Sequence, residues 1–427
     1  MPKLGEQVEL LRERRDAVIS PRLGNLGESH LGPHTELVRR GISPVYADDG
    51  DVQVINQKCV RPGSSLDLSF SKRNDSRQKN VPFELLVRPG DVLINSTGTG
   101  TLGRSVCVVD EVPAATIDGH VTLVRPNGSS LMGEFLAYYL SCREDWLVLE
   151  SRGSTNQIEL SRDTILAIPV PLPPLRVQRR IASYLDAETD RIDAMTAKLD
   201  EQVELLRERR VSVVQDVLAG FPSTGSTSLG LQLETHFPGE WGDDPGRGGL
   251  DVKCVRVADF DRATKTANDD VRTIRSIVPG KVFSKALKSG DLLVERSGGS
   301  EKKPVGSAFF YEGSSLAVCA NFIEVLRFDS KNDSRYWFYL LVNSYDKGDF
   351  STLYNQTTGI QNLKMDLFLQ RRFPVHSLDE QRRIVADLDE RTARIDTMID
   401  KCTELRELLR ERRAALIRAV VTGQKEV

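Results

Sequence analysis

The sequence has no CxxC pair. Its six cysteines, Cys59, Cys107, Cys142, Cys254, Cys319 and Cys402, are scattered, which argues against a zinc site and against a disulfide framework. Histidine is scarce, with five in 427 residues. His30 and His34 stand four apart, but Gly32 and Pro33 lie between them, so they read as loop residues rather than a helical metal pair. No apolar run approaches the ~18 residues that a bilayer span needs. The opening stretch MPKLGEQVELLRERR is charged and helix-patterned, without a signal-peptide core, so a cytoplasmic location is expected. Positive charge is not in surplus either. A net charge of -3 excludes a uniformly basic nucleic-acid binder but leaves room for a basic face.

Catalytic signatures are also missing. No GxxxxGK[ST] phosphate loop occurs, and no Asn/Asp-Pro-Pro-aromatic tetrapeptide of the kind that holds a target amine in amino-methyltransferases. Gly98-Thr99-Gly100-Thr101-Leu102-Gly103 matches GxGxxG by letter. A dinucleotide or S-adenosylmethionine loop opens a helix, whereas Ser105-Val106-Cys107-Val108-Val109 reads as a strand, so a β-turn loop is expected here. Asp243-Asp244 and Asp269-Asp270 read as solvated loops.

What the chain does have is an internal repeat. Residues 178–220 and 381–423 align without a gap at an offset of 203, with about half the positions identical. Both are helical in pattern. Ile181, Leu185, Ile192, Met195, Leu199, Val203 and Leu206 recur at spacings of three, four and seven, as do Ile384, Leu388, Ile395, Met398, Cys402 and Leu409. Such a stripe among charged residues reads as a coiled-coil seam. Gly220 and Gly423 are placed to end the two helices, and Pro173-Pro174 and Pro374 precede them. A third, partial copy runs from Lys3 to Arg15 and matches 198–210 everywhere except Gly5.

Between the helices lie two segments rich in turn residues and short β-type runs, at about 21–172 and 221–375. They share a weaker repeat. Arg88-Pro89-Gly90-Asp91-Val92-Leu93-Ile94 matches Lys288-Ser289-Gly290-Asp291-Leu292-Leu293-Val294, a turn leading into a strand. A Gly/Ser/Thr-rich loop and a second strand follow in each. An aromatic helix-like stretch, Phe135–Leu140 or Tyr336–Leu341, comes next. The expected fold is therefore α+β: two globular β-rich domains separated by two long antiparallel coiled-coil helices, with pseudo-two-fold symmetry. The expected boundaries are 1–20 for the partial helix repeat, 21–172 and 221–375 for the globular domains, and 173–220 and 376–427 for the helices. Separated modules of this kind suit two half-sites on a DNA duplex.

In this order and spacing the sequence resembles the specificity subunits of type I restriction–modification systems. The carriers are Ile168-Pro169-Val170-Pro171-Leu172-Pro173-Pro174-Leu175, then Gln178-Arg179-Arg180-Ile181, and Leu378-Asp379-Glu380-Gln381-Arg382-Arg383-Ile384, with the turns at Gly90 and Gly290. The first helix start departs from the family's Glu-Gln-x-x-Ile pattern, with Val177 in place of Glu. The resemblance implies that each globular segment is a target-recognition domain reading one half of a split DNA sequence. It implies that the helices set the spacer and dock the modification (methyltransferase) subunits, two copies of which would suit two equivalent patches. It also implies a non-catalytic chain without a cofactor or metal of its own. S-adenosylmethionine belongs to the modification subunits, and ATP and Mg2+ are expected on partner subunits, including the restriction (translocase/nuclease) subunit. No membrane partner is implied.

Base edges are read by Arg, Lys, Asn and Gln, and phosphates by Lys, Arg and hydroxyls. In the first segment the candidates are Lys72, Arg73, Arg77 and Lys79, then Asn95, Thr97, Thr99 and Arg104, and Asn156 and Gln157. In the second they are Arg296, Lys302 and Lys303, with Asn355, Gln356 and Gln361. On the helices Arg207, Arg209 and Arg210 recur as Arg410, Arg412 and Arg413, the candidate docking residues. Two other readings remain: a coiled-coil protein-interaction scaffold without DNA specificity, and an enzyme carrying its own specificity domains, which the missing motifs disfavour.

Overall fold

The computed structural model describes residues 28–427, apart from 64, 99, 113, 152–158, 301–302 and 358–359. The partial helix repeat expected over 1–20 lies outside the described residues. The chain mixes helix and sheet and divides into two compact units. One joins the residues up to Leu199 with Glu404–Val427, and the other is Asp200–Thr403. The division cuts across the expected segments. Each unit takes one globular segment and a part of each long helix.

In the first unit a four-stranded antiparallel sheet runs in the order Thr35–Arg40, Val121–Pro126, Val92–Asn95, Ser105–Cys107. The strand Val92–Asn95 is buried along its whole length. That explains its unbroken apolar run, since a strand covered on both faces loses the usual alternation. A smaller sheet orders Lys72–Asn74, Val52–Ile55 and Ala115–Ile117, antiparallel and then parallel. Glu28–His30 pairs with Pro169–Pro171 just before the long helix.

The second unit repeats the plan with additions. Its main sheet has five strands: Leu233–Pro238, Ile323–Phe328, Leu292–Glu295, Ala308–Tyr311 and Thr266–Ala267. The smaller sheet orders Ile274–Ile277, Leu250–Val255 and Ala317–Cys319, again antiparallel and then parallel. A further sheet orders Ser297–Gly298, Ile360–Leu363 and Tyr354–Thr357.

The central helix covers Leu175–Gly220, 46 residues, or roughly 70 Å at the usual rise. The C-terminal helix covers Leu378–Val421. Gly423 follows it at φ +72°, the left-handed turn that closes a helix and favours glycine. The two helices supply the two cores by exchange. In the first unit Ile181 and Leu185, from the start of the central helix, join Ile417 and Val420, from the end of the C-terminal helix, around Phe135 and Leu136. In the second, Ile384 and Leu388 join Val214 and Val217 around Trp337 and Leu341. The offset of 203 carries the first set onto the second. Burying one such side chain stabilises by about 1.5–3 kcal/mol, so neither globular segment has its full core without both helices.

The expected apolar stripe is buried over only part of its residues. Ile181, Leu185, Ile192, Val203, Leu206, Ile384, Leu388, Ile395 and Leu409 are buried. Met195 and Met398 are instead 55% and 43% exposed, while Leu199 and Cys402 are half-buried. Each Met lies three residues beyond a buried Ile, about 60° around the helix from it at 3.6 residues per turn. A three-four pattern read on a lone helix covers a wider arc than its neighbours cover.

Candidate nucleic-acid interface

The motifs that stood out in the sequence turn out to position the two segments. Gln178 is fully buried. Its Oε1 accepts from the Met132 amide at 2.9 Å, and its Nε2 donates to the carbonyls of Ser130 and Pro173 at 2.8 Å each. Met132 caps the helix Gly133–Ser141, so the glutamine satisfies a helix terminus that would otherwise lack a partner. Gln381 does the same for Asp333, which caps Ser334–Asp346, at 2.8 Å. On those helices Tyr138 Oη donates to Asp186 at 2.7 Å, and Tyr339 Oη to Asp389 at 2.6 Å. Burial raises both phenols, Tyr339 to about 12. The Gly-Asp turns are ion-pair anchors. Asp91 accepts from Arg125 Nε at 2.7 Å and Nη2 at 2.8 Å, and Asp291 from Arg327 at 2.8 and 2.7 Å.

The candidate contacts fall into distinct groups. Lys72 and Arg73 are exposed on Lys72–Asn74, an edge strand of the smaller sheet. Arg73 Nε donates to the Gly50 carbonyl. Arg77 grips Asp75 through two nitrogens, at 2.7 and 3.0 Å. That guanidinium holds the Asp75 carboxyl down at about 2. Lys79 is exposed, and its carbonyl accepts from Asn74. The stretch is thus a folded edge on which, among the described residues, the Lys72 and Lys79 ammonium groups make no hydrogen bond or ion pair.

In the following loop Asn95 is fully buried and donates to the Gln57 carbonyl at 3.0 Å, so it does not face a ligand. Thr97 Oγ1 meets His120 Nδ1 at 2.7 Å. Arg104 donates to the Gly100 carbonyl at 2.7 Å. The loop then enters the strand Ser105–Cys107, as a β-turn and not a helix opening. Thr99, Asn156, Gln157 and Lys302 lie outside the described residues.

In the second unit Arg296 is committed to the buried Glu324 at 2.9 Å. Lys303 is exposed, and its amide donates to the Ser300 hydroxyl at 3.2 Å. Asn355 is exposed on Tyr354–Thr357, opposite Asn362, and Gln356 shares that strand. Gln361 is buried and accepts from the Val305 amide at 3.2 Å, which makes it structural. On the helices Arg207 pairs with Glu204 at 2.6 Å and Arg410 with Glu407 at 2.7 Å, in exposed i, i+3 pairs. Arg209 and Arg412 are exposed. Arg210 and Arg413 are mostly covered, and each is tied to a carboxylate of the chain itself, Asp396 at 2.8 Å and Asp193 at 3.0 Å.

One feature of each smaller sheet was not visible in the sequence. Lys72 Nζ sits 4.7 Å over the Tyr46 ring, and the Arg275 guanidinium 4.5 Å over the Trp241 ring. Tyr46 and Trp241 are 45% and 37% exposed. Neither aromatic lies in a named strand, and the fold brings each to a strand residue distant in sequence, so residue spacing carries no trace of the pairing. Among the described residues no His/Cys/Asp/Glu group could hold a metal, and no helix is long and apolar enough to cross a membrane.

Two β-rich units built on shared long helices, each presenting polar and cationic sheet edges, make up a duplicated architecture. The family model "Type I restriction modification DNA specificity domain" matches residues 45–205. The specificity subunit of the type I restriction enzyme StySPI from Salmonella potsdam is 26% identical over 246 residues, 54% of this chain and 52% of that protein. That of MjaVIII from Methanocaldococcus jannaschii is 21% identical over 317 residues, 69% of this chain and 70% of that protein. The chain spans about half the length of the first of these relatives. A chain from a structure of type I R-M complex assembly and conformational transition superposes at a TM-score of 0.68 with 18% identity, covering 92% of this chain and 97% of that one. The HsdS subunit from Thermoanaerobacter tengcongensis gives 0.50 at 18% identity, covering 93% and 97%. These superpositions establish the fold. The chain is similar to the specificity subunits of type I restriction–modification systems, and its residues 45–205 match their DNA specificity domain.

Proposed function

We propose that the chain is the sequence-reading subunit of a type I restriction–modification complex, binding double-stranded DNA with one half-site per unit. The observation that carries this is the exchange of helix ends. Each unit builds its core from the start of one long helix and the end of the other, at repeat-equivalent residues. This supports an antiparallel, pseudo-two-fold arrangement in which the helices fix the distance between two readers. The readers differ in surface while sharing a frame, as independent half-site recognition requires. Phosphate contacts from Lys72, Lys79 and Lys303 would position the duplex, and Asn355 with the aromatic pairs at Tyr46 and Trp241 would meet bases.

Arg207, Arg209, Arg410 and Arg412 remain available for docking two modification subunits. Methyl transfer with S-adenosylmethionine, and ATP- and Mg2+-dependent steps, would belong to those subunits and to a restriction subunit. This chain would supply specificity and no catalysis. The test is a binding selection on a split-site DNA library, using the chain co-purified with its modification subunit across a salt series. Enrichment of a two-part sequence with a fixed gap is the expected result. No sequence preference at any salt overturns the reading and leaves a protein-interaction scaffold.

A further inference from the structure

A cavity of about 500 Å³ opens in the first unit, between the turn at Arg61–Ser65, the residues around Arg104 and Cys142, and the two long helices. Five of its lining residues are arginines: Arg61, Arg104, Arg410, Arg413 and Arg418. Guanidinium groups keep their charge at every accessible pH. Against them stand the lining carboxylates Glu144 and Asp193, with Glu407 pairing Arg410 at 2.7 Å. Asp193 is taken by Arg413 and Glu144 lies 3.6 Å from Arg104. Among the described residues, Arg61 and Arg418 have no carboxylate within ion-pair distance; Arg61 lies 5.0 Å over the Phe70 ring. No aromatic side chain lines the cavity, and its apolar wall is Ile192, Ala414 and Ile417. A base would find nothing to stack on, while phosphate oxygens would find forked donors matched to their geometry.

The second unit treats the corresponding place differently. Arg104 lines the cavity, and its repeat partner Ser307, whose carbonyl accepts from Glu295 as that of Arg104 does from Asn95, receives the Lys265 ammonium on its hydroxyl at 3.0 Å. Gln215 stands where the first unit has Arg418. The carboxylates Glu295 and Asp346 act on Lys265 there, while Asn95 occupies the position of Glu295 in the first unit. One copy of the duplicated frame is thus filled and compensated by its own side chains. The other is open, with cations in excess. We propose that this cavity is a binding site for a phosphate-bearing anion, held chiefly by Arg61 and Arg418. Neither Arg61 nor Arg418 is among the residues proposed above to meet DNA or a partner subunit.

The test uses the full chain, with inorganic tripolyphosphate as the probe in calorimetric titration at low salt. One-to-one binding to the wild type is expected, weakened at least tenfold in Arg61→Gln/Arg418→Gln with an unchanged melting curve. A parallel arm measures the affinity of a random-sequence duplex against salt. If the slope of log affinity on log salt falls by about two in the double variant, near the ~0.9 expected per phosphate contact, the phosphates are those of the DNA backbone. An unchanged slope together with lost tripolyphosphate binding assigns the site to a free polyphosphate. If the double variant melts early, the exposed single change Arg418→Gln gives the reading, with at least a threefold loss expected. Absence of tripolyphosphate binding to the wild type, or equal binding by the variants, overturns the proposal.

Discussion

Arg413 Nε donates to the Asp193 carboxylate at 3.0 and 3.3 Å, and its Nη2 to the Gly63 carbonyl at 2.9 Å. Moving both residues by the repeat offset exchanges the helices they come from. Arg413 becomes Arg210, Asp193 becomes Asp396, and these too are paired, at 2.8 Å. In each unit one residue of the pair comes from the central helix and the other from the C-terminal helix. The arginines are only 16% and 17% exposed, their carboxylate partners 56% and 40%.

A double-mutant cycle measures this relationship. Half-exposed carboxylates are screened by water, so each coupling should be modest, about 0.5–1 kcal/mol. Arg413→Ala will cost more than Asp193→Ala, because it also removes the hydrogen bond to the Gly63 carbonyl and the packing of a mostly covered side chain. Coupling indistinguishable from zero in both Arg413/Asp193 and Arg210/Asp396, read from denaturant midpoints, would show that the pairs are incidental.

Gln178 and Gln381 should matter more than any exposed ion pair. Each is buried and satisfies an amide ahead of a helix; Gln178 also donates to two backbone carbonyls, and Gln381 to the His376 carbonyl and Asn332 Oδ1. Replacing either with Leu keeps the bulk and orphans those groups, at about 1–3 kcal/mol apiece. A loss of roughly 2–5 kcal/mol is expected in urea unfolding. A change under about 0.5 kcal/mol, the usual range for surface substitutions, would contradict the buried network.

The repeat made the long helices and the order of the two segments legible, because identical residues survive at equivalent places. The same sequence could not give helix phase. Arg209 and Arg210 are neighbours in sequence and differ by about 100° around the helix, and only Arg210 meets a carboxylate of the other helix. Residue type misled at Asn95 and Gln361. Asn and Gln suit base edges, and they suit buried backbone groups equally well; here both are buried. Tyr46 with Lys72 and Trp241 with Arg275 were hidden for another reason, since each pair joins a strand residue to an aromatic more than twenty residues away in sequence.

Lys265 gives the second unit an unusual pH response. Burial holds its ammonium below the ordinary lysine value, despite the Asp346 and Glu295 charges. Between that lowered value and about 10.5, the unfolded chain carries a proton that the folded chain has lost. Stability contributed by this group therefore rises with pH across that window, and its penalty is constant below it. Lys265→Met should remove the rise, seen as a flatter difference in melting temperature between pH 8 and pH 10. A wild-type-minus-variant difference that falls with pH in that window would reverse the assignment.

The helices can be tested as a ruler at Leu199, where the first unit's share of the central helix ends. Inserting seven residues after it adds about 10.5 Å of helix and keeps the apolar stripe nearly in phase, since seven residues are close to two turns. If the two units read half-sites held apart by this helix, the preferred gap should lengthen by about three base pairs at ~3.4 Å each. The C-terminal helix is the second strut, so the matching insertion after Cys402, the repeat equivalent of Leu199, is needed in the same protein. The single insertion alone should strain the cores that both helices share and lower stability. A doubly extended protein that folds, binds and prefers the original gap would show that spacing is set elsewhere, by loops that reach the DNA independently of the helices. A doubly extended protein that selects both half-sites at the longer gap would assign the measurement of distance to the repeated helix itself.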